Sequence, residues 1–371
     1  MKESSPISVL HVVGGMNIGG IQSFLMEVLR NTDSSQVEFI FLCHGNRKWD
    51  HAEEVNRLGG KIINIPSITE VGVYSYVKSI RKIIRTYDIE IVHTHLYLAS
   101  SIVLLAAALE KVPVRIIHSH STRNELGASL SRKAYVCLTR AMISNFCTLR
   151  MSCGTEAGKT FFRGKDFQLI NNGINISKFK FNDSLRISMR ESLEIKIDSP
   201  ILLHVGRFIE VKNHKFLIEI FAKFLELQPN SILLLIGDGP TREDTEKLVE
   251  KLGIEENVRI LGQREDVTNF YNVADILLLP SISEGLPLTL LESQANGLSA
   301  LVSAGVPLES CVVKDLVNFK DLEDPIEEWA AKMNEIAFHR NEKGAQILRD
   351  AGYDSRDSAT RLSNIYKSKI H

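Results

Sequence analysis

The chain has 371 residues, 44% hydrophobic and 24% charged, with 44 Lys+Arg against 45 Asp+Glu and a formal net charge of -1. At the usual ~100 to 200 residues per domain this length predicts two globular domains, and the balanced charge excludes a basic nucleic-acid binder. Five scattered cysteines, Cys43, Cys137, Cys147, Cys153 and Cys311, form no C-x-x-C pair, which points to a reducing cytoplasm rather than a disulfide framework or zinc site. Residues 1–6 lack the basic and apolar regions of a secretion signal, and the longest apolar stretch, 102–109, falls far short of the ~20 residues of a membrane span.

In chain order, strand-length apolar runs at 7–13, 37–43, 61–65, 90–93, 114–118, 150–153 and 167–170 alternate with helix-period segments. Ile21, Phe24, Leu25, Val28 and Leu29 recur at helical spacing, and 73–87, 97–110 and 127–146 read as further helices. The pattern restarts at 201–205, with strands at 232–236, 258–261, 276–279 and 300–303 and helices over 213–227, 242–252 and 288–296. Such alternation predicts an α/β fold of two Rossmann-like, doubly wound domains. The polar stretch 175–199 carries no long apolar run and reads as a hinge. The expected domains are therefore 1–175 and 176–350, with 351–371 as a C-terminal helix spaced on Leu362, Ile365 and Tyr366.

The first strand–helix junction reads Val13-Gly14-Gly15-Met16-Asn17-Ile18-Gly19-Gly20. Such a turn serves either as a flexible loop or as an anion cradle at a helix start. It is not G-x-G-x-x-G and no acidic residue is suitably placed on the next strand, which argues against a dinucleotide. In the second half Gly206, Arg207 and Lys212 follow the first strand. The two cations reach the carboxyl edge of a parallel sheet, to meet a diphosphate there or simply to be solvated.

The stretch 279–292 reads strand, turn, helix: Glu284 falls on the turn, Pro287 near the first helical position and Glu292 about one and a half turns in,. Free amides at such a helix start can meet a phosphate. His93-Thr94-His95 and His118-Ser119-His120 both end strands, and alternation puts each pair on one side. Four imidazoles could then hold a metal, but no carboxylate or cysteine accompanies them. Over 129–146, Arg132, Lys133 and Arg140 lie among apolar residues; that helix either rests on an anionic bilayer or, the plainer reading, buries its apolar residues and solvates its charges.

Taken in order and spacing, Gly19-Gly20, the His95 and His120 strand ends, Asn172-Gly173, Gly206-Arg207, Lys212, Gly237-Asp238-Gly239-Pro240 and Glu284…Glu292 carry a resemblance. The chain resembles family 4 of the retaining glycosyltransferases, of GT-B architecture and bacterial surface-polysaccharide or glycolipid type. The resemblance implies two Rossmann-like domains facing across a cleft, with the C-terminal helix crossing back to the first. It implies a catalytic set of His120, Arg207, Lys212 and Glu284, in which Arg207 and Lys212 neutralise the donor diphosphate and Glu284 binds donor-sugar hydroxyls. Glu292 would take the ribose, Gly206 and the amides of Gly285, Leu286 and Leu288 would help hold the phosphates, and Gly19 and Gly20 would close over them. Gln263 and Arg264 mark where relatives hold the base through main-chain groups. By the same alignment His120 faces the donor sugar, with His118 as the alternative and His95 as support.

The resemblance further implies a nucleoside diphosphate sugar donor, with UDP the commoner base, a glycan or lipid-linked acceptor, and a cytoplasmic protein able to touch the inner membrane face. It implies no cofactor and no metal, in keeping with the lack of an Asp-x-Asp pair. Asn171, Asn175 and Ser299 depart from the family pattern without removing a donor-binding group. A nucleotide-sugar 2-epimerase and a non-catalytic sugar-nucleotide-binding subunit are the competing readings.

Overall fold

Near-continuous apolar strands are expected wherever helices cover both faces of a parallel sheet, and the computed structural model, which describes residues 6–120, 129–336 and 340–370, has two such sheets. The chain falls into two compact units, Met1–Gly173 together with Asp354–His371, and Ile174–Tyr353. In chain order the first unit comprises β1 (Ile7–Val12), α1 (Gly20–Arg30), β2 (Val37–His44), α2 (Ala52–Arg57), β3 (Lys61–Ile65), α3 (Ile68–Thr86) and β4 (Ile91–Thr94). It continues through α4 (Ser100–Leu109), β5 (Val114–Ser119), α5 (Leu130–Phe146), β6 (Leu149–Ser152), α6 (Thr155–Phe162) and β7 (Gln168–Leu169).

The second unit holds α7 (Asp183–Ser192), β8 (Ile201–Val205), α8 (His214–Leu225), β9 (Ile232–Ile236), α9 (Arg242–Leu252), β10 (Val258–Ile260) and α10 (Val267–Val273). After these come β11 (Ile276–Leu279), α11 (Leu288–Asn296), β12 (Ser299–Ser303), β13 (Val317–Lys320), α12 (Ile326–Glu335) and α13 (Gly344–Asp350). A last helix, α14 (Ser355–Ile370), returns to the first unit. Strand order is β3-β2-β1-β4-β5-β6-β7 in one sheet and β10-β9-β8-β11-β12-β13 in the other, all parallel. Each order reverses direction at the first strand of its unit, so the connections leaving β1 and β4, and those leaving β8 and β11, part to opposite faces.

Five helices, α2, α6, α10, α12 and α13, were not among the expected elements, and the structure departs from the sequence reading at four further places. α3 begins five residues before the expected 73, because the Glu70 carboxylate accepts the Ser67 N–H and satisfies a helix-start donor; Gly72, at φ 74, kinks the helix where the periodicity was expected to start,. The helix expected over 127–146 is seen from Leu130, with Ser129 as N-cap; residues 127 and 128 lie outside the described residues. Its exposed Leu130 (85%) and Leu138 (62%) are not core, contrary to the plainer expectation. The half-buried strand β13 was not expected, its VNFK sequence offering no apolar run.

The fourth departure is the hinge. Residues 175–199 fold as part of the second unit, with Asn175 and Asn182 capping a 3-10 turn and α7 through side-chain oxygens. α7 docks by charge as well as by Met189 and Leu193, which pack against the apolar core. Arg186 Nη2 and Arg190 Nη2 donate to the two oxygens of buried Asp275 at 2.5 and 2.7 Å, and Ile201 N adds a third hydrogen bond at 2.8 Å. Arg190 is only 1% exposed.

α14 covers α1, burying Leu362 and Tyr366 completely. Ser358 Oγ donates to Asn171 O at 2.9 Å and Ser355 Oγ to Glu27 Oε2 at 2.8 Å. Gly173 is required by this crossing, since a Cβ there would lie 2.8 Å from the Ser355 backbone nitrogen. Among the described residues no helix is long and apolar enough to cross a membrane.

The Asp275 network generates a stability prediction. Asp275→Ala leaves two buried guanidinium groups without their counter-charge and is expected to cost the second unit about 3 to 5 kcal/mol, read as a lower urea midpoint. A loss below about 1 kcal/mol, the scale of a surface pair, would show that the network is not what docks α7.

Candidate active site

In the second unit the site is built on the reversal between β8 and β11. The loop after β8 folds onto the loop after β9: Gly206 N donates to Ile236 O at 2.9 Å and Phe208 N to Asp238 O at 3.0 Å. A Cβ on Gly237 would sit 1.9 Å from Gly206 O, and one on Gly239 2.3 Å from Phe208 O. Both glycines also have positive φ, of 139° and 157°, so the Gly-Asp-Gly-Pro motif is the tight backbone contact that sets where Arg207 stands. The Arg207 side chain is exposed there and has no hydrogen bond or ion pair among the described residues.

Lys212 returns toward the same loop. Its stem passes Gly206 at ordinary contact distance, a Cβ there falling 3.5 Å from Lys212 Cε and more tightly, at 3.1 Å, against His204 Nε2. Its Nζ meets Glu284 Oε1 at 2.6 Å, with the two side chains only 16% and 12% exposed. The turn carrying Glu284 is pinned on both sides. Ile282 N donates to Val211 O at 2.8 Å, Glu284 N donates to Gly305 O at 3.0 Å, and Gly305 could bear no Cβ without one falling 2.4 Å from Ile282 O. The ion pair thus joins the loops following β8 and β11, where the crevice of such a sheet opens.

Gly285 and Leu286 lead to Pro287, which is the N-cap of α11, next to the first helical position where it was expected, and Leu288 begins the helix. Glu292 is the fifth residue of α11. Tyr271 on α10, absent from the sequence-derived site, donates its hydroxyl to Glu292 Oε2 at 2.6 Å. Burial and then the neighbouring carboxylate hold that phenol well above its ordinary pKa, so it stays a donor and fixes the carboxylate's direction. Gln263 and Arg264 are exposed; Arg264 is clamped to Asp266 by two hydrogen bonds of 2.8 and 2.9 Å. Their segment joins the rest through Gly237 N, which donates to Gly262 O at 2.8 Å.

The first unit presents a different chemistry at its own reversal. His11 of β1 is in register with His93 of β4, and His95, His118 and His120 extend the set, with ring centroids of neighbouring members 4.1 to 5.5 Å apart. His11 escaped the sequence reading because it lies inside a strand and not at its end; the parallel register with His93 is the signal that finds it. Burial pushes His11 and His120 down to about 3, and His93, His95 and His118 well below their ordinary value. His11/His93/His95 and His95/His118/His120 each bring three ring nitrogens within 4.8 Å, a spacing that a metal ion could use, with no carboxylate or thiolate in either group.

At the first glycine-rich turn the glycines divide by cause. A Cβ on Gly15 would strike the Trp49 ring at 2.2 Å, so packing requires glycine there. Gly19 is the N-cap of α1 in extended backbone, where a Cβ would press only the flexible end of Gln22. Gly20 has no positive φ and, among the described residues, no neighbour within 4 Å of a would-be Cβ.

Two family models match: Glycosyltransferase Family 4 over residues 18–178 and Glycosyl transferases group 1 over 186–352. EpsF of Bacillus subtilis (strain 168) is 32% identical over 372 residues, covering 98% of this chain and 97% of its own. The UDP-Gal:alpha-D-GlcNAc-diphosphoundecaprenol alpha-1,3-galactosyltransferase of Escherichia coli is 25% identical over 324 residues, 84% of this chain and 82% of its own. In fold the chain is similar to Anabaena HepE, solved in complex with UDP and glucose, at a TM-score of 0.79 and 15% identity, covering 98% of this chain and all of that one. The chain belongs to glycosyltransferase family 4 and has the GT-B fold of two Rossmann-like domains.

The histidine set generates an acid prediction. A folded-state pKa of about 3 lies below the ordinary imidazole value of 6.5, so as pH falls the unfolded chain takes up protons that the folded one refuses. Their stabilisation is complete above pH 6.5 and drains away toward pH 3, each group contributing a slope of about 1.4 kcal/mol per pH unit. The urea midpoint of the first unit should therefore fall steeply on acidification through this window. A flat profile would mean that the cluster admits protons and is not held neutral.

Proposed function

We propose that this glycosyltransferase moves a sugar from a UDP-sugar to a hydroxyl of a glycan or lipid-linked acceptor, with retention at the anomeric carbon and without a divalent metal, in surface-polysaccharide or glycolipid assembly. The Lys212–Glu284 pair beside exposed Arg207 carries the reading. A nucleotide sugar presents a diphosphate directly bonded to a polyhydroxyl ring. Groups 2.6 Å apart, one cationic and one accepting hydroxyl hydrogens, suit the two sides of the bond that breaks. Arg207, Lys212, Gly206 and the amides of Gly285, Leu286 and Leu288 oppose the charge growing on the departing diphosphate, the usual source of the largest catalytic effect.

Glu284 is engaged with Lys212, which favours sugar recognition over the nucleophilic role a carboxylate takes in a retaining glycosidase. Front-face attack follows, with a donor phosphate oxygen accepting the proton of the incoming hydroxyl. Glu292, oriented by Tyr271, takes the ribose hydroxyls, and the main chain near Gln263 and Arg264 takes the base. Gly20, whose lack of a side chain the fold does not explain, and Gly19 let the phosphates approach α1, while His120 serves the transferred sugar. The donor and the undecaprenol acceptor named for the Escherichia coli relative, and the UDP and glucose held by HepE, support the choice of ligands. Exposed Leu130 and Leu138 beside Arg132 and Lys133 support docking on the cytoplasmic membrane face to reach such an acceptor,.

Turnover on a panel of radiolabelled nucleotide sugars in excess EDTA, with calorimetric titration of UDP, tests the assignment. Glu284→Ala should lose turnover while binding UDP as well as or better than wild type, since Lys212 is released from its partner. Glu292→Ala should weaken UDP by about 1 to 3 kcal/mol. An epimerised donor with no product on any acceptor, activity abolished by EDTA, or UDP affinity equal in all three proteins would each overturn part of the reading.

Gly20→Ala separates ligand approach from folding. Alanine at a helix start with open space around it should leave the melting temperature equal or higher, yet turnover should drop by about tenfold or more, the rate cost of about 1.4 kcal/mol. Unchanged turnover would remove Gly20 from the site.

A further inference from the structure

We propose that Tyr366, His11 and His95 form a hydrogen-bonded positioning chain that fixes the tautomer and ring plane of His120, leaving His120 Nδ1 as an acceptor for a sugar hydroxyl. The inference rests on the assignment of His120 to the transferred sugar and adds to it a direction and a mechanical support.

The links are continuous. Tyr366 Oη lies 2.7 Å from His93 Nδ1 and 3.4 Å from His11 Nε2; His11 Nδ1 lies 3.1 Å from His95 Nε2, and His95 Nδ1 lies 2.8 Å from His120 Nε2. A neutral imidazole carries one N–H and one bare nitrogen, so in a run of such rings the donors must all point the same way. The single proton of Tyr366 decides which way. A separation of 2.7 Å is that of an O–H donor, whereas 3.4 Å is long even for N–H, so the hydroxyl donates to His93 Nδ1 and accepts from His11 Nε2–H. His11 Nδ1 is then bare and accepts from His95 Nε2–H. His95 Nδ1 is bare in turn and accepts from His120 Nε2–H.

The proton therefore sits on His120 Nε2, and Nδ1 keeps its lone pair. That nitrogen is buried and has no protein partner among the described residues. An acceptor at this position suits a hydroxyl and repels a phosphate oxygen, which separates its work from that of Arg207 and Lys212. The surroundings hold the arrangement. His118 stacks on His120 with centroids 4.1 Å apart and on His93 at 5.3 Å, and the Phe24 ring of α1 lies against both His118 and His120. Burial keeps every ring in the run neutral, as one N–H per ring requires.

The test uses full-length protein labelled with 15N-histidine, with Tyr366→Phe, which removes only a hydroxyl, His95→Phe, which removes the middle link, and His120→Ala as reference. Wild type should show His120 as one tautomer, protonated at Nε2. Tyr366→Phe should mix the two tautomers and cut kcat about tenfold on the UDP-sugar that the panel above selects, while KM and calorimetric UDP affinity stay within about twofold; His95→Phe should do the same more strongly. A His120 tautomer and kcat unchanged in both variants, with turnover lost in His120→Ala, would overturn the chain and leave the role of His120 standing. Full turnover in His120→Ala would instead overturn the role, and the tautomer spectrum alone would then judge the chain. Titration with Co²⁺ closes the remaining route: a ligand-field absorption that vanishes in His95→Phe would mean that these nitrogens hold an ion instead of one another.

Discussion

Everything functional in this protein depends on one constraint of parallel sheets, the place where strand order turns back. Connections leaving the adjacent strands β1 and β4, and likewise β8 and β11, go to opposite faces, so their first few residues cannot pack on each other and a crevice opens at the carboxyl edge,. The two units use this gap in opposite ways. The second lines it with charge, Arg207 and the Lys212–Glu284 pair, held on loops whose backbones interlock through Gly237, Gly239 and Gly305. The first fills it with neutral imidazoles carried on the strands themselves. Such a division suits a reaction in which a bond breaks between an anion and an uncharged ring.

Close backbone approach, more than any side-chain contact, gives the charged half its precision. A Cβ 1.9 Å from a carbonyl oxygen cannot be accommodated by rotating a side chain, so glycine at 237 is what lets the Arg207 loop lie directly on the loop after β9. Charge stabilisation in catalysis depends on such preorganisation, because a donor that must first move loses much of its effect to reorganisation. Gly20 is the contrasting case: among the described residues nothing occupies the space its side chain would fill.

Much of this was legible in the sequence because strands buried on both faces announce themselves as apolar runs and because Gly206-Arg207, Lys212 and Glu284…Glu292 sit at predictable distances from strand ends. The parts that were hidden share one cause, a partner remote in sequence. α7 went unread because its docking runs through Arg186 and Arg190 to Asp275, over eighty residues further on, beside the short apolar contact of Met189 and Leu193. Tyr271 went unread because only α10 brings it beside Glu292, and His11 because only the β1–β4 register places it next to His93. The Leu130 and Leu138 side chains of α5 erred the other way, since apolar residues at helical spacing look like core whether or not anything covers them.

The return of α14 to the first unit also orders events in time. A ribosome releases residues from the N-terminus onward, and domains ordinarily fold in that sequence. Here the first unit lacks Leu362 and Tyr366, two of its fully buried side chains, until the final helix is made. The second unit, Ile174–Tyr353, is by contrast one uninterrupted stretch. The nested half can therefore finish folding while the flanking half still waits for its cover, and a histidine run anchored on Tyr366 takes its final form only once α14 has been translated.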